Sequence, residues 1–133
     1  MKIYLASRYS RIAEMQAVAA DLVALGHTVT SRWIMGLHAA TDDRLEEHAI
    51  LTRRFAMEDL EDVHNADCCI SFTEPARTGP TRGGRHVEFG AALAWGKRCY
   101  VIGHRENVFH YLPEARFFPA WKDALPEFQQ RAA

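Results

Sequence analysis

Short β-prone runs alternate with helical patterns along the whole of this chain, and that alternation decides most of what it can fold into. The run from Ala66 to Phe72 (ADCCISF) is nearly all apolar, as a strand buried on both faces of a parallel sheet must be. Around it stand Lys2 to Ala6 (KIYLA), His27 to Trp33 (HTVTSRW), Arg98 to Ile102 (RCYVI) and Ala115 to Phe118 (ARFF). Between the first two runs, Ile12, Met15, Val18, Ala19, Leu22, Val23 and Leu25 recur at the helical period, with Ser10 as N-cap and Gly26 just past the end. Thr41 or Asp42 is expected to cap a long helix that reaches about His64, with a break near Leu51. His86 to Trp95 predicts a further helix closed by Gly96, and Pro119 to Gln130 a terminal one with Pro at its start. Gly103 to Leu112 is expected as a loop with one helical turn. Five strands in 133 residues predict a single domain over 1–133: α/β, flavodoxin-like (Rossmann-like), a doubly wound parallel sheet of order 2-1-3-4-5. Ligands of such sheets bind outside the carboxyl ends of the strands, which selects the loops after Ala6, Trp33, Phe72 and Ile102.

Charge narrows the partners. Sixteen Lys and Arg against seventeen Asp and Glu leave a formal charge of −1, so no net field draws in a nucleic-acid polymer or an anionic membrane. Only Lys2, Lys97 and Lys122 are lysines; the other basic residues are Arg, which suits bidentate recognition of a small anion. Cys68, Cys69 and Cys99 are an odd set without CxxC spacing, which argues for buried thiols in a reducing compartment over a disulfide framework or a zinc knuckle. The opening MKIYLASRYSR turns polar too early for a signal peptide, and no apolar run approaches about 18 residues. The expectation is a soluble cytoplasmic protein. His38, His48 and His64 show no metal-ligand spacing, and no cofactor is expected. A P-loop and a GxGxxG after the first strand are both absent, which disfavours triphosphate hydrolysis and dinucleotide redox chemistry.

The segment Gly79 to Lys97 (GPTRGGRHVEFGAALAWGK) carries the strongest chemical signal. Gly83 and Gly84 allow a tight turn and close approach to a ligand, and the helix that follows offers free N–H donors. Glu88 is placed in about the first turn of that helix, where the positive end of the dipole favours its ionised form. On residue type alone, an acid chosen for the dipole is the better account of it.

Three motifs in order resemble the nucleoside 2-deoxyribosyltransferase family and its relatives, the 2′-deoxynucleoside 5′-monophosphate N-hydrolases. They are Ile3-Tyr4-Leu5-Ala6-Ser7-Arg8, then Asp59-Leu60-Glu61-Asp62-Val63-His64-Asn65-Ala66-Asp67, then Gly83 to Lys97. The resemblance covers about residues 2 to 112. It implies that Glu88 is the nucleophile that attacks C1′ and that Asp59 contacts the base and helps protonate its leaving nitrogen. It further implies that the Tyr4 hydroxyl holds the nucleophile, and that Ser7 and Arg8 lie in a turn that helps bind a 5′-phosphate. Where the transferases carry an Asp for the sugar 5′-hydroxyl, this chain has Arg82, which suits a phosphate. The chemistry is consistent with this. Cleavage of an N-glycoside passes through an oxocarbenium-like state and needs a carboxylate under C1′ and a proton source at the base.

Other residues stand at the selected edge. Trp33 is a candidate to stack on a nucleobase, or a plain core tryptophan. Arg77, Arg82 and Arg85 crowd the Gly-rich loop with Gly84, as phosphate ligands or solvated surface. His86 reads as structural. Asn107 is expected to reach an adjacent subunit's site, since the resemblance implies a homo-oligomer. Phe109, Tyr111, Phe117, Phe118 and Trp121 are expected to form one apolar patch at a core edge or subunit interface. The leading expectation is retaining cleavage or transfer at a deoxynucleoside or its 5′-monophosphate, with hydrolase and transferase outcomes both open. A non-catalytic nucleotide-binding module is the rival from another class. A phosphoribohydrolase of the lysine-decarboxylase-like group is third, since its PGGxGTxxE loop matches GGRHVE only in part.

Overall fold

A computed structural model describes residues 1–36, 45–75 and 82–129. Its elements are β1 (Lys2–Ala6), α1 (Ile12–Ala24), β2 (Thr28–Val29), α2 (Ala49–Asn65), β3 (Cys68–Phe72), α3 (Gly84–Ala94), β4 (Arg98–Ile102), β5 (Ala115–Phe118) and α4 (Trp121–Ala124). The strands form one all-parallel sheet of order β2-β1-β3-β4-β5, the arrangement the alternating pattern predicts. Every residue of β3 is buried, because it runs through the middle of the sheet with helices on both faces. Tyr4, Cys69 and Cys99 are register partners and so share one face, and Ala6 and Ser71 follow them toward the carboxyl edge.

Several boundaries differ from the expected ones, each for a local reason. Ser10 does not cap α1: it lies in a 3₁₀ turn over Tyr9–Arg11, and α1 starts at Ile12 with no side-chain cap. β2 is two residues long because side chains take over its pairing. The Leu5 N–H donates to Ser31 Oγ (2.6 Å) and the Leu5 carbonyl accepts from Trp33 Nε1 (2.8 Å). The chain then turns into a 3₁₀ helix over Arg32–Met35, so Trp33 sits on that turn and not at a strand end. Thr41 and Asp42, with the rest of 37–44, lie outside the described residues, as does 76–81, which includes Arg77 and Gly79. The terminal helix is cut short at Ala124 and continues only as a 3₁₀ turn, Leu125–Phe128, because Pro126 has no N–H to extend the α ladder.

The core runs along both faces of β1, β3 and β4, with Met15, Val18 and Leu22 of α1 and Phe89 and Ala92 of α3 closing over it. The five aromatics expected to make one patch are divided. Trp121 packs on Phe72 (5.9 Å) and Phe128 (5.6 Å), Phe118 stacks on Tyr100 (6.3 Å), and Phe117 lies under the Arg105 guanidinium (4.2 Å). Phe109 and Tyr111 remain exposed. All three cysteines are buried and free. Among the described residues no helix is long and apolar enough to cross a membrane.

Candidate active site

Three elements converge near the carboxyl ends of β1 and β3. Tyr4 points from β1 toward α3, is fully buried, and its hydroxyl donates to Glu88 Oε2. Gly83 makes that meeting possible. It holds φ +78°, a left-handed conformation that side chains with a Cβ resist, and so turns the chain into α3 one residue before the helix begins. The helix opens at Gly84, not at His86, so Glu88 is its fifth residue and lies in the second turn.

The position changes its electrostatics. The dipole was expected to keep Glu88 ionised, but burial pushes its carboxyl up to about 8, and the charge of Asp59 adds to this while the Tyr4 hydroxyl opposes it. Asp59, on α2, is raised to about 7, by burial first and then by Asp62 and Glu58, with Arg32 pulling the other way. Burial and both carboxylates push the Tyr4 phenol well above its ordinary value, so it stays a donor. Near neutral pH the pair Asp59–Glu88 therefore holds a proton, which neither carboxyl would keep in water. Such a site can offer one carboxylate and one carboxylic acid at once.

Around this pair the carboxyl edge is lined with neutralised guanidiniums. Ser7 Oγ donates to the Arg8 carbonyl (2.9 Å), and the Arg8 side chain pairs with Glu74 (3.2 Å). Glu74, just past β3, also pairs with Arg11 (2.7 Å). Arg85 is buried and pairs with Glu106 at 2.6 Å, so its charge is met inside the chain. Burial pushes the Glu106 carboxyl up, but Arg85 and the Glu74 N–H outweigh this and hold it below the usual range. Gly84 and Arg82 are exposed at the entrance to α3. Trp33 is 4% exposed, its ring against Tyr9 (6.1 Å), which puts it in the core wall under the site. Asn107 is engaged within its own chain: Oδ1 accepts from the Phe109 N–H (3.0 Å) and Nδ2 is 3.5 Å from His86 Nδ1. Glu74, Glu106 and Arg11 were not singled out from the sequence. Glu74 and Glu106 follow the ends of β3 and β4, where the edge rule points, so the signal was present.

No family model matches the chain, and no curated protein matches it. Solved structures do, and two of them are informative. A 2-deoxyribosyltransferase from Bacillus psychrosaccharolyticus superposes with a TM-score of 0.67 over 100% of this chain and 99% of its own, at 21% identity. The chain has the 2-deoxyribosyltransferase fold. The CMP N-glycosidase of Clostridium botulinum has it too, with a TM-score of 0.59 at 17% identity over 96% of this chain and 97% of that one. Within this fold, Tyr4 on β1, Asp59 on α2 and Glu88 on α3 meet although 84 residues separate the first from the last.

Proposed function

We propose that this chain cleaves the N-glycosidic bond of 2′-deoxyribonucleosides or their 5′-monophosphates by double displacement through Glu88. The observation that carries the reading is the Tyr4–Glu88 hydrogen bond beside Asp59, at the ligand-binding edge of the sheet. In the form of the pair whose shared proton sits on Asp59, a Glu88 carboxylate oxygen attacks C1′ as the C1′–N bond breaks, and the Asp59 carboxyl passes its proton to the leaving nitrogen. In the second half, water or an acceptor base attacks C1′, gives its proton to Asp59 and frees Glu88. Water makes the enzyme a hydrolase, and a base makes it a transferase. The likeness in fold to a 2-deoxyribosyltransferase and to a CMP N-glycosidase supports both outcomes. The exposed Arg82 favours the 5′-monophosphate, and the internal pairing of Arg85 leaves that cation out of phosphate binding.

The test is incubation with deoxynucleosides and their monophosphates, with and without an acceptor base, followed by chromatography. Free base or exchanged nucleoside is expected from the wild type, with a bell-shaped pH profile centred between about 7 and about 8. Glu88→Ala is expected to bind substrate and release nothing; normal turnover in that variant overturns the reading. Arg82→Ala is expected to weaken kcat/KM roughly tenfold for the monophosphate and to leave the nucleoside unchanged. Ligand binding without base release in the wild type would instead identify a nucleotide-binding module.

A further inference from the structure

α2 carries Asp59, yet it is poorly seated by apolar contact. Of its seventeen residues only Asp62 and Val63 are buried. Besides Val63, which enters the core, polar contacts from the segment after β2 tie it to the sheet. Arg32 donates from its backbone N–H to Asp62 Oδ2 (3.0 Å) and from Nε to Asp62 Oδ1 (2.9 Å) and Oδ2 (3.1 Å). Its Nη2 reaches the Glu58 carbonyl (3.3 Å) and Glu61 Oε1 (3.4 Å), and Thr30 Oγ1 donates to the Asp62 carbonyl (2.9 Å). Asp62 is 4% exposed, and a carboxylate that deeply placed costs more to desolvate than a hydrophobic residue of its size. Asp59 and Asp62 are three residues apart on one helix, so they are neighbours on one side of it.

We infer that Arg32 and Asp62 form a positioning pair that holds the Asp59 turn of α2 beside Glu88 and sets the balance of charge around the Asp59 carboxyl. The inference rests on the function proposed above. Among the described residues, charged and titratable groups facing Asp59 include Glu58 and Asp62 from α2, Glu88 from α3, Tyr4 from β1 and Arg32 from the turn after β2. Arg32 is the cation in that set, and it opposes Asp62 and Glu58, which drive the proton affinity of Asp59 upward. Asp62 acts in the opposite sense, and on Glu88 as well as on Asp59. A pair that merely braced the helix would have no sign. This one has.

Three variants read the sign: Arg32→Gln, Arg32→Lys and Asp62→Asn. Carbon-13 NMR of the side-chain carboxyls follows the titration of Asp59 and Glu88 in the ligand-free protein, and the pH profile of kcat/KM follows it in turnover. Arg32→Gln is expected to move both titration and profile toward alkaline pH by roughly half a unit to one unit. Asp62→Asn keeps an acceptor for Arg32, loses the charge, and is expected to move both by a similar amount toward acid pH. Arg32→Lys is expected to restore the wild-type midpoint while leaving kcat reduced, since an ammonium keeps the charge and loses the planar two-point grip. Shifts in the same direction from Arg32→Gln and Asp62→Asn, or unmoved titrations in folded variants, overturn the inference. If Arg32→Gln does not fold, the acid shift of Asp62→Asn decides alone. The titrations need no substrate. Failure of the wild type to release base would therefore count against the proposed function and not against the pair.

Discussion

Glu88 has a proton affinity that neither its residue type nor its place on a helix supplies. Its carboxyl reaches about 8 because a strand, two helices and a second carboxylate close around it, and burial outweighs what remains of the helix dipole in a second turn. Tyr4 is the one contact that pulls the other way. Tyr4→Phe removes that donor without changing the fill of the core, so the Glu88 titration is expected to rise further. The alkaline limb of the pH profile then moves up, and kcat falls roughly a hundredfold, the usual cost of losing one aimed donor to a reacting oxygen. An unchanged profile in the folded variant would remove Tyr4 from the site. At this scale the residue types were legible in the chain, and their ionisation was not. Tyr4, Asp59 and Glu88 can be picked out by motif, but a pKa depends on neighbours brought from other elements.

Among the elements, β1, β4 and β5 begin and end where the apolar runs do, because a buried strand is bounded by the first residue that must reach water. The elements that departed from expectation did so through contacts invisible to local pattern. β2 gave way to Ser31 and Trp33 because their side chains satisfy Leu5, and α3 starts two residues early because Gly83 could adopt a left-handed entry. The loop after β4 is set by a comparable constraint. Gly103 has φ +115°, and a Cβ there would lie 3.2 Å from Thr73 Oγ1 and 3.3 Å from the Thr73 carbonyl. Gly103→Ala is expected to cost about 1–3 kcal/mol in denaturant unfolding and to disturb the Glu74–Glu106 edge it supports. A variant as stable as the wild type would show that the loop adjusts freely.

Across the whole molecule, the carboxyl pair makes stability depend on pH with a definite sign. Between their ordinary values of 4.5 and 3.8 and their folded values of about 8 and about 7, Glu88 and Asp59 hold protons in the folded state that the unfolded chain has released. The folded state then binds more protons, so stability falls as pH rises through that window and is lowest once both groups are ionised. Glu88→Gln removes about half of this dependence. Relative to the wild type, the variant is expected to gain a few kcal/mol between roughly pH 5 and pH 9, read as a widening difference in Tm. Parallel curves for the two proteins would mean that Glu88 is not buried against a second charge.

The sequence by itself determined the sheet: which runs become strands, that they lie parallel, and their order, because apolar content and period follow from solvent exposure and are written locally. It also carried the ordered motifs in which Tyr4, Asp59 and Glu88 stand. Only the tertiary structure decided that Arg85 and Arg8 are neutralised by Glu106 and Glu74, that Trp33 lies in the core wall, and that Arg32 and Asp62 hold α2 in place. Charge pairing and burial are sums over atoms distant in the chain, and those sums exist only once the fold has brought the atoms together.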